Sequence, residues 1–222
     1  MIAFLGGSFD PVHEGHIHLA QELLGIYQFD KIYFVPAKQN PLKKVKTVAS
    51  GEMRVKMIRT AISELNEPRF EVLDTEIYRK GPSYTLLTLQ ELLKNGEKEI
   101  ALLLGNEVFK ELPQWHEPKQ LLESAHCVVV NRNKEIPFRP IEILEKLHIL
   151  DGKFLGENKI THTQTSRWIE QRFITPLPFS ATEIRKQIKE QWNKNELQDL
   201  PPGIRRSVWL LIKENSLYTV SY

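Results

Sequence analysis

Short apolar runs alternate with stretches of helical periodicity through about residue 130, and that alternation restricts the chain to few folds. Ile2–Leu5, Ile32–Val35, Phe70–Leu73, Ile100–Leu104 and Cys127–Val130 read as buried strands. Between them, Glu14–Tyr27 places Ile17, Ala20 and Leu24 on one face, and Gly51–Leu65 does the same with Val55, Ile58, Ile62 and Leu65. Tyr84–Leu93 carries Leu86, Leu89 and Leu93 at helical spacing. Strand–helix–strand order implies crossover connections and a parallel sheet covered on both faces. The expectation is a doubly wound, Rossmann-like α/β domain. Ligands of such sheets bind beyond the carboxyl ends of the strands, near the switch point, so loops that follow strands are where chemistry is to be sought.

The chain of 222 residues suits one large domain, taken as 1–222, with a core of ordinary size. The segment 131–175 is harder to read and is expected to be a variable lobe or long connection. Asn131–Pro140 reads as loop, Ile141–Leu147 as a short helix, Ile160–Thr165 as strand-prone, and Trp168–Phe173 as ambiguous. Residues 180–222 read as a C-terminal helical part. Ser180-Ala181-Thr182-Glu183 is a capping box, in which Ser180 caps a helix and Glu183 reaches back. Ile184, Ile188 and Trp192 line one face of that helix, Pro201-Pro202-Gly203 breaks the chain, and Ile204–Lys213 forms a last amphipathic helix.

A formal net charge of +2 excludes bulk attraction to nucleic acid or an anionic membrane, so any anion site must come from local placement. Cys127 is the one cysteine; it rules out an intrachain disulfide framework, reads as a small core residue, and favours a reducing, cytoplasmic home. No apolar run is long enough for a membrane span, and Met1–Leu5 is too short for a signal peptide. Oligomeric state is not legible, and a homo-oligomer is left open.

The first strand runs into Gly6-Gly7-Ser8-Phe9-Asp10-Pro11-Val12-His13-Glu14-Gly15-His16. Two glycines let the backbone turn sharply and approach a ligand closely. Their N–H groups, with the positive end of the following helix, make an anion site. His13 and His16, three apart, can point at one anion, as imidazolium or as N–H donors, and Gly15 between them leaves room. The plain alternative is a tight turn with surface histidines. Neither a Gly-x-Gly-x-x-Gly fingerprint nor a Walker A loop is present, and His13, His16 and His18 lack the spacing of a zinc helix.

Other segments offer matching chemistry. Ser180, Thr182 and Arg185 open a helix, which reads either as a plain cap or as a polyphosphate clamp. Lys38, Lys43, Lys44 and Lys46 crowd the loop after the second strand, either solvated or set to balance a polyphosphate. Trp115 is a loop tryptophan, either a hydrophobic anchor or a stacking plate for an electron-poor ring. Gly105-Asn106-Glu107 follows a strand and opens a helix, and Arg132 follows the strand ending at Val130.

Gly6–His16 resembles the signature of the His-x-Gly-His nucleotidyltransferases, and the chain as a whole resembles the bacterial nicotinate-nucleotide adenylyltransferase family. Gly81-Pro82-Ser83-Tyr84-Thr85 is similar to that family's Pro-Ser-Tyr-Thr motif, Leu112-Pro113-Gln114-Trp115-His116 to its tryptophan loop, and Phe179–Arg185 to its Ser-x-Thr-x-x-Arg motif. Pro36–Lys43 sits where the family carries its basic substrate loop, and Leu200–Tyr218 resembles its closing helix. The resemblance implies joining of the adenylyl group of ATP to nicotinate mononucleotide, with Mg²⁺ carried by ATP and no metal ligands from protein side chains. His13, His16 and Arg185 are implied to be catalytic. Gly6, Gly7, Ser8, Phe9, His16, Gly105, Glu107, Ser180, Thr182 and Arg185 are implied to bind ATP, and Lys43, Tyr84, Thr85, Trp115, His116 and Arg132 the mononucleotide. The chain departs from the family pattern at Leu42, where a histidine is usual, and at Glu107, where an aspartate is usual. Two other readings stay open: a nucleotidyltransferase with nicotinamide mononucleotide or phosphopantetheine as acceptor, and a non-catalytic nucleotide sensor.

Overall fold

A computed structural model describes residues 1–39, 42, 47–131, 140–149, 152–156, 158–162, 164–194 and 196–219, with the backbone alone described for 152–156. The first half alternates β1 (Ile2–Gly7), α1 (Glu14–Tyr27), β2 (Lys31–Pro36), α2 (Gly51–Ser63) and β3 (Phe70–Val72). The short α3 (Thr75–Tyr78) leads to α4 (Thr85–Lys94), β4 (Ile100–Gly105), α5 (Asn106–Lys110), a 3₁₀ turn at Leu112–Gln114, α6 (Pro118–Ser124) and β5 (His126–Asn131). Then come α7 (Pro140–Lys146), β6 (Gly152–Gly156), β7 (Lys159–His162), β8 (Trp168–Phe173), α8 (Ala181–Lys194) and α9 (Arg206–Glu214).

The strands form one sheet in the order β3-β2-β1-β4-β5-β8-β7-β6. Pairings from β3 across to β8 are parallel. The strands alternate their side chains between two cores. Ala3, Leu5, Ala101, Leu103, Val128 and Val130 face α1, α2, α8 and α9, whereas Ile2, Phe4, Leu102, Leu104, Cys127 and Val129 face α4 and α6. Helices cover both faces because both faces of each central strand are apolar. Cys127 lies wholly in the second core, where burial pushes its thiol up to about 12.

The chain leaves β1 toward β2 and β3, then crosses back to β4 on the other side of β1. The switch point therefore lies at the carboxyl ends of β1 and β4, where Gly6-Gly7 and Gly105 stand.

The segment 131–175 differs from a simple connection. It holds α7 and then three strands: β6 pairs antiparallel with β7, and β7 with β8, while β8 returns to the domain by parallel pairing with β5, Cys127 beside Ile169. Three polar residues in β8, Glu170, Gln171 and Arg172, hide the strand from a hydrophobicity reading. Its charges pair with each other, Arg172 with Glu170, and with other elements: Lys159 reaches Glu170 at 3.1 Å, and Arg172 donates to the Tyr27 hydroxyl at 3.0 Å. Trp168 stacks on His126 and Tyr27, at centroid separations of 4.5 and 5.9 Å.

At the far end, α8 and α9 lay Ile184, Ile188, Val208, Trp209 and Ile212 into the core shared with α1 and α2. The Trp192 indole N–H donates to the Leu217 carbonyl at 3.2 Å. No helix of the described residues is long and apolar enough to cross a membrane.

Candidate active site

The turn between β1 and α1 is held tightly. A Cβ on Gly6 would stand 2.9 Å from the Phe4 ring, and one on Gly7 would stand 3.1 Å from the Phe9 ring. Phe9 adopts a left-handed φ of 47° and is buried against His16 and Phe34, with ring centroids 4.8 and 5.9 Å away. Its side chain wedges the loop from beneath, so only its backbone is offered to a ligand.

His13 is the N-cap of α1. Its Nδ1 accepts from Gly15 N–H, while His16 Nδ1 accepts from His13 N–H, both at 3.2 Å. The two rings lie 3.8 Å apart. With each Nδ1 accepting from a backbone N–H, Nε2 is the ring nitrogen left to donate to a ligand. Gly15 makes room for the His13 ring itself, which a Cβ there would meet at 3.0 Å.

Arg185 comes to the same place from α8. Its Nη1 donates to the Asp10 carbonyl at 2.7 Å and its Nη2 to the Thr182 hydroxyl at 3.3 Å. The Ser180 hydroxyl accepts from Glu183 N–H at 3.2 Å, the first half of the capping box. Gly203 O accepts from Glu14 N–H at 2.9 Å and Arg205 pairs with Glu14 at 3.0 Å, so the C-terminal helices are fastened to the start of α1.

A cleft of about 1070 Å³, including its open mouth, runs from the first loop across the carboxyl ends of β1 and β4. Gly6, Gly7 and Ser8 form one wall, and Tyr84, Thr85, Trp115 and His116 others. Three motifs far apart in sequence therefore share one cavity. Tyr84 and His116 stack with centroids 4.2 Å apart. A shallower recess of about 310 Å³, including its open mouth, lies across the start of α1, lined by Gly15, His18, Leu19, Val130, Ile174, Thr175 and Phe179 among others.

Glu107 is placed less simply: it is exposed and paired with Lys110 at 2.9 Å, so it faces solvent beside the cleft. Lys43 and Arg132 lie outside the described residues. Among the described residues, no group of three or more His, Cys, Asp or Glu side chains could hold a metal ion.

Sequence reasoning missed the support beneath the loop. Asp10 is buried, and its carboxylate accepts from Val48 N–H at 2.7 Å, Ala49 N–H at 3.1 Å and the Tyr218 hydroxyl at 2.8 Å. Arg54 is also buried; it donates to Ser8 O at 2.7 Å and Ala49 O at 3.3 Å. Burial pulls the Arg54 guanidinium below its usual range, against the pull of the Asp10 charge. One signal was available: Arg54 stands four before Ile58, inside the apolar stripe of α2, where an unpartnered charge would be costly.

The cytidylyltransferase-like family matches residues 4–187. A probable nicotinate-nucleotide adenylyltransferase of Roseiflexus sp. (strain RS-1) is 42% identical over 131 residues, 59% of this chain and 65% of that protein, so the match spans just under two thirds of that relative. The probable nicotinate-nucleotide adenylyltransferase of Methylacidiphilum infernorum (isolate V4) is 31% identical over 98% of this chain and 91% of its own. Among solved structures, Plasmodium falciparum nicotinic acid mononucleotide adenylyltransferase complexed with APC shares the fold, with a TM-score of 0.64 at 18% identity over 99% of this chain and 98% of that one. With a glycine- and histidine-bearing turn at the switch point and full-length likeness of this kind, the chain belongs to the cytidylyltransferase-like family and, within it, to the nicotinate-nucleotide adenylyltransferase group.

Proposed function

We propose that the chain transfers the adenylyl group of ATP to nicotinate mononucleotide, giving nicotinate adenine dinucleotide and pyrophosphate in NAD biosynthesis, in the cytoplasm. The observation that carries this reading is the single cleft in which Gly6–Ser8, Tyr84–Thr85 and Trp115–His116 meet, with Arg185 at the loop beside it. The names of the full-length relatives support it.

The polyphosphate lies at the start of α1, against the backbone N–H groups of Gly6–Phe9, the imidazoles of His13 and His16, Thr182, Ser180 and Arg185. Mg²⁺ enters with ATP as its counter-ion. The pyridine ring stacks on Trp115, and backbone N–H groups near Thr85 and His116 donate to its carboxylate, a charge-assisted bond that a carboxamide makes less well.

An oxygen of the mononucleotide phosphate attacks the α-phosphorus of ATP. The new P–O bond forms as the bond to the β-phosphate bridging oxygen breaks, and pyrophosphate leaves with that electron pair. The nucleophile arrives ionised, so the protein contributes position and charge stabilisation rather than a base. Nε2–H donors suit this, since they bind developing charge without surrendering a proton.

Incubation of the pure protein with Mg-ATP and either nicotinate or nicotinamide mononucleotide, with chromatography of the products, tests the reading. Dinucleotide mainly from the nicotinate form is expected. Product from the amide alone overturns the specificity, and no product from either overturns the function.

A further inference from the structure

Glu76 is a buried carboxyl on α3 that reaches the wall of the cleft. It belongs to none of the sequence motifs above, and its bonds are all to neighbouring protein groups. Thr88 of α4 donates its hydroxyl proton to Glu76 Oε1 at 2.9 Å. The Ser83 hydroxyl stands near enough to the same carboxyl to favour its ionised form.

The direction of these bonds follows from counting protons. Ser83 Oγ accepts from Lys38 N–H at 2.9 Å and from Gln39 N–H at 3.4 Å, which leaves its one proton free to turn to the neighbouring Glu76 carboxyl. Thr88 Oγ1 likewise accepts from Arg79 Nη1 at 2.9 Å and gives its proton to Glu76. Arg79 is anchored in turn on Glu91 at 2.6 Å, and its carbonyl takes Lys38 Nζ at 3.1 Å. The Thr88 chain ends on Glu76, and the Ser83 hydroxyl stands beside the same carboxyl. They tie together the backbone after β2, the Ser83–Thr85 turn and the first turns of α4.

We propose that Glu76 is a positioning residue for the mononucleotide half of the cleft: by accepting from Ser83 and Thr88 together it sets the turn that carries Tyr84 and Thr85 and the start of the substrate loop at Lys38–Gln39. This rests on the reading that the cleft takes a pyridine mononucleotide. The acceptor requirement is strict. A residue of the same shape with an amide in place of one oxygen turns a donor toward one hydroxyl, and that hydroxyl must then release an N–H partner or face donor to donor. Burial pushes the Glu76 carboxyl above its usual range, while the two hydroxyls and Arg79 oppose that push and favour the ionised acceptor.

Glu76→Gln tests the assignment, with Ser83→Ala as the second variant if the first does not fold. The loss of one hydrogen bond to a charged acceptor corresponds to about tenfold in affinity. KM for nicotinate mononucleotide is expected to rise about that much, with KM for ATP unchanged and kcat within about threefold. The double variant should add little to either single change, since both cut one relay. Amide hydrogen exchange at Lys38 and Gln39, measured without substrate, should quicken in Glu76→Gln. If the wild type turns over no pyridine mononucleotide, the functional reading fails while the exchange measurement still judges Glu76. Unchanged exchange, an unchanged KM for the mononucleotide, or an equal rise in both KM values overturns the proposal.

Discussion

Tyr218→Phe isolates one hydrogen bond beneath the Gly6–His16 loop. The Tyr218 ring is 2% exposed, and its hydroxyl donates to Asp10 Oδ1 at 2.8 Å. Phenylalanine keeps the ring and its packing, so little cavity cost is added. What is lost is one of three donors to a buried carboxylate whose other partners are Val48 N–H and Ala49 N–H. A hydrogen bond to a charged group contributes about 1.5–3 kcal/mol, and water cannot easily replace it in a site so closed. For a chain of this size each kcal/mol corresponds to about 2–4 °C, so the melting temperature should fall by roughly 3–12 °C. The high-pH limb gives a second signature. Burial and the Asp10 charge raise the Tyr218 phenol well above its usual value. A folded-state pKa above the unfolded one means that stability is fully present below the unfolded value of ~10 and declines as pH rises beyond it. Calorimetry between neutral pH and pH ~11 should therefore show a shallower alkaline decline in Tyr218→Phe than in the wild type. A melting temperature within 1 °C of the wild type, by the ~3 °C lower bound above, would refute the idea that the C-terminal turn is fastened through Asp10.

Three further outcomes are expected. His16→Ala should lower kcat by about 100-fold or more if the ring stabilises developing charge, while stability drops only by the ~0.5–2 kcal/mol of a helix cap; near-normal kcat would remove His16 from the chemistry. Gly203→Ala places a Cβ 2.5 Å from the Phe179 ring at φ +82°, so denaturant titration should show a loss of about 2–5 kcal/mol from strain and overlap, and an unchanged midpoint would contradict the packing. His126 accepts from Trp168 N–H at 3.1 Å and contacts Glu99 at 2.6 Å; burial lowers its pKa, so stability is full above the unfolded value of ~6.5 and should fall as pH drops below it. His126→Gln should flatten that fall in thermal melts, and an equally steep decline in the variant would place the titrating group elsewhere.

The alternation of strands and amphipathic helices carried the class of fold, because each central strand is apolar on both faces and can be satisfied only between helices. The Gly6–His16 turn and the Trp115 loop were legible as local features, a glycine pair ahead of a helix and a loop aromatic, whereas the Ser83–Thr85 motif was marked only by the family resemblance. What local features could not disclose was which of these turns meet: the crossing back from β3 to β4 brings them to one cleft, and that is a property of strand order. Strand β8 stayed hidden for a related reason: Glu170 and Arg172 pair with each other, and Lys159 and the Tyr27 hydroxyl from elsewhere in the chain complete their contacts. Asp10, Arg54, Glu76 and Tyr218 form the last group. Each is an ordinary residue in sequence, and each became a support for the site only when burial removed water and left specific donors and acceptors as its sole partners.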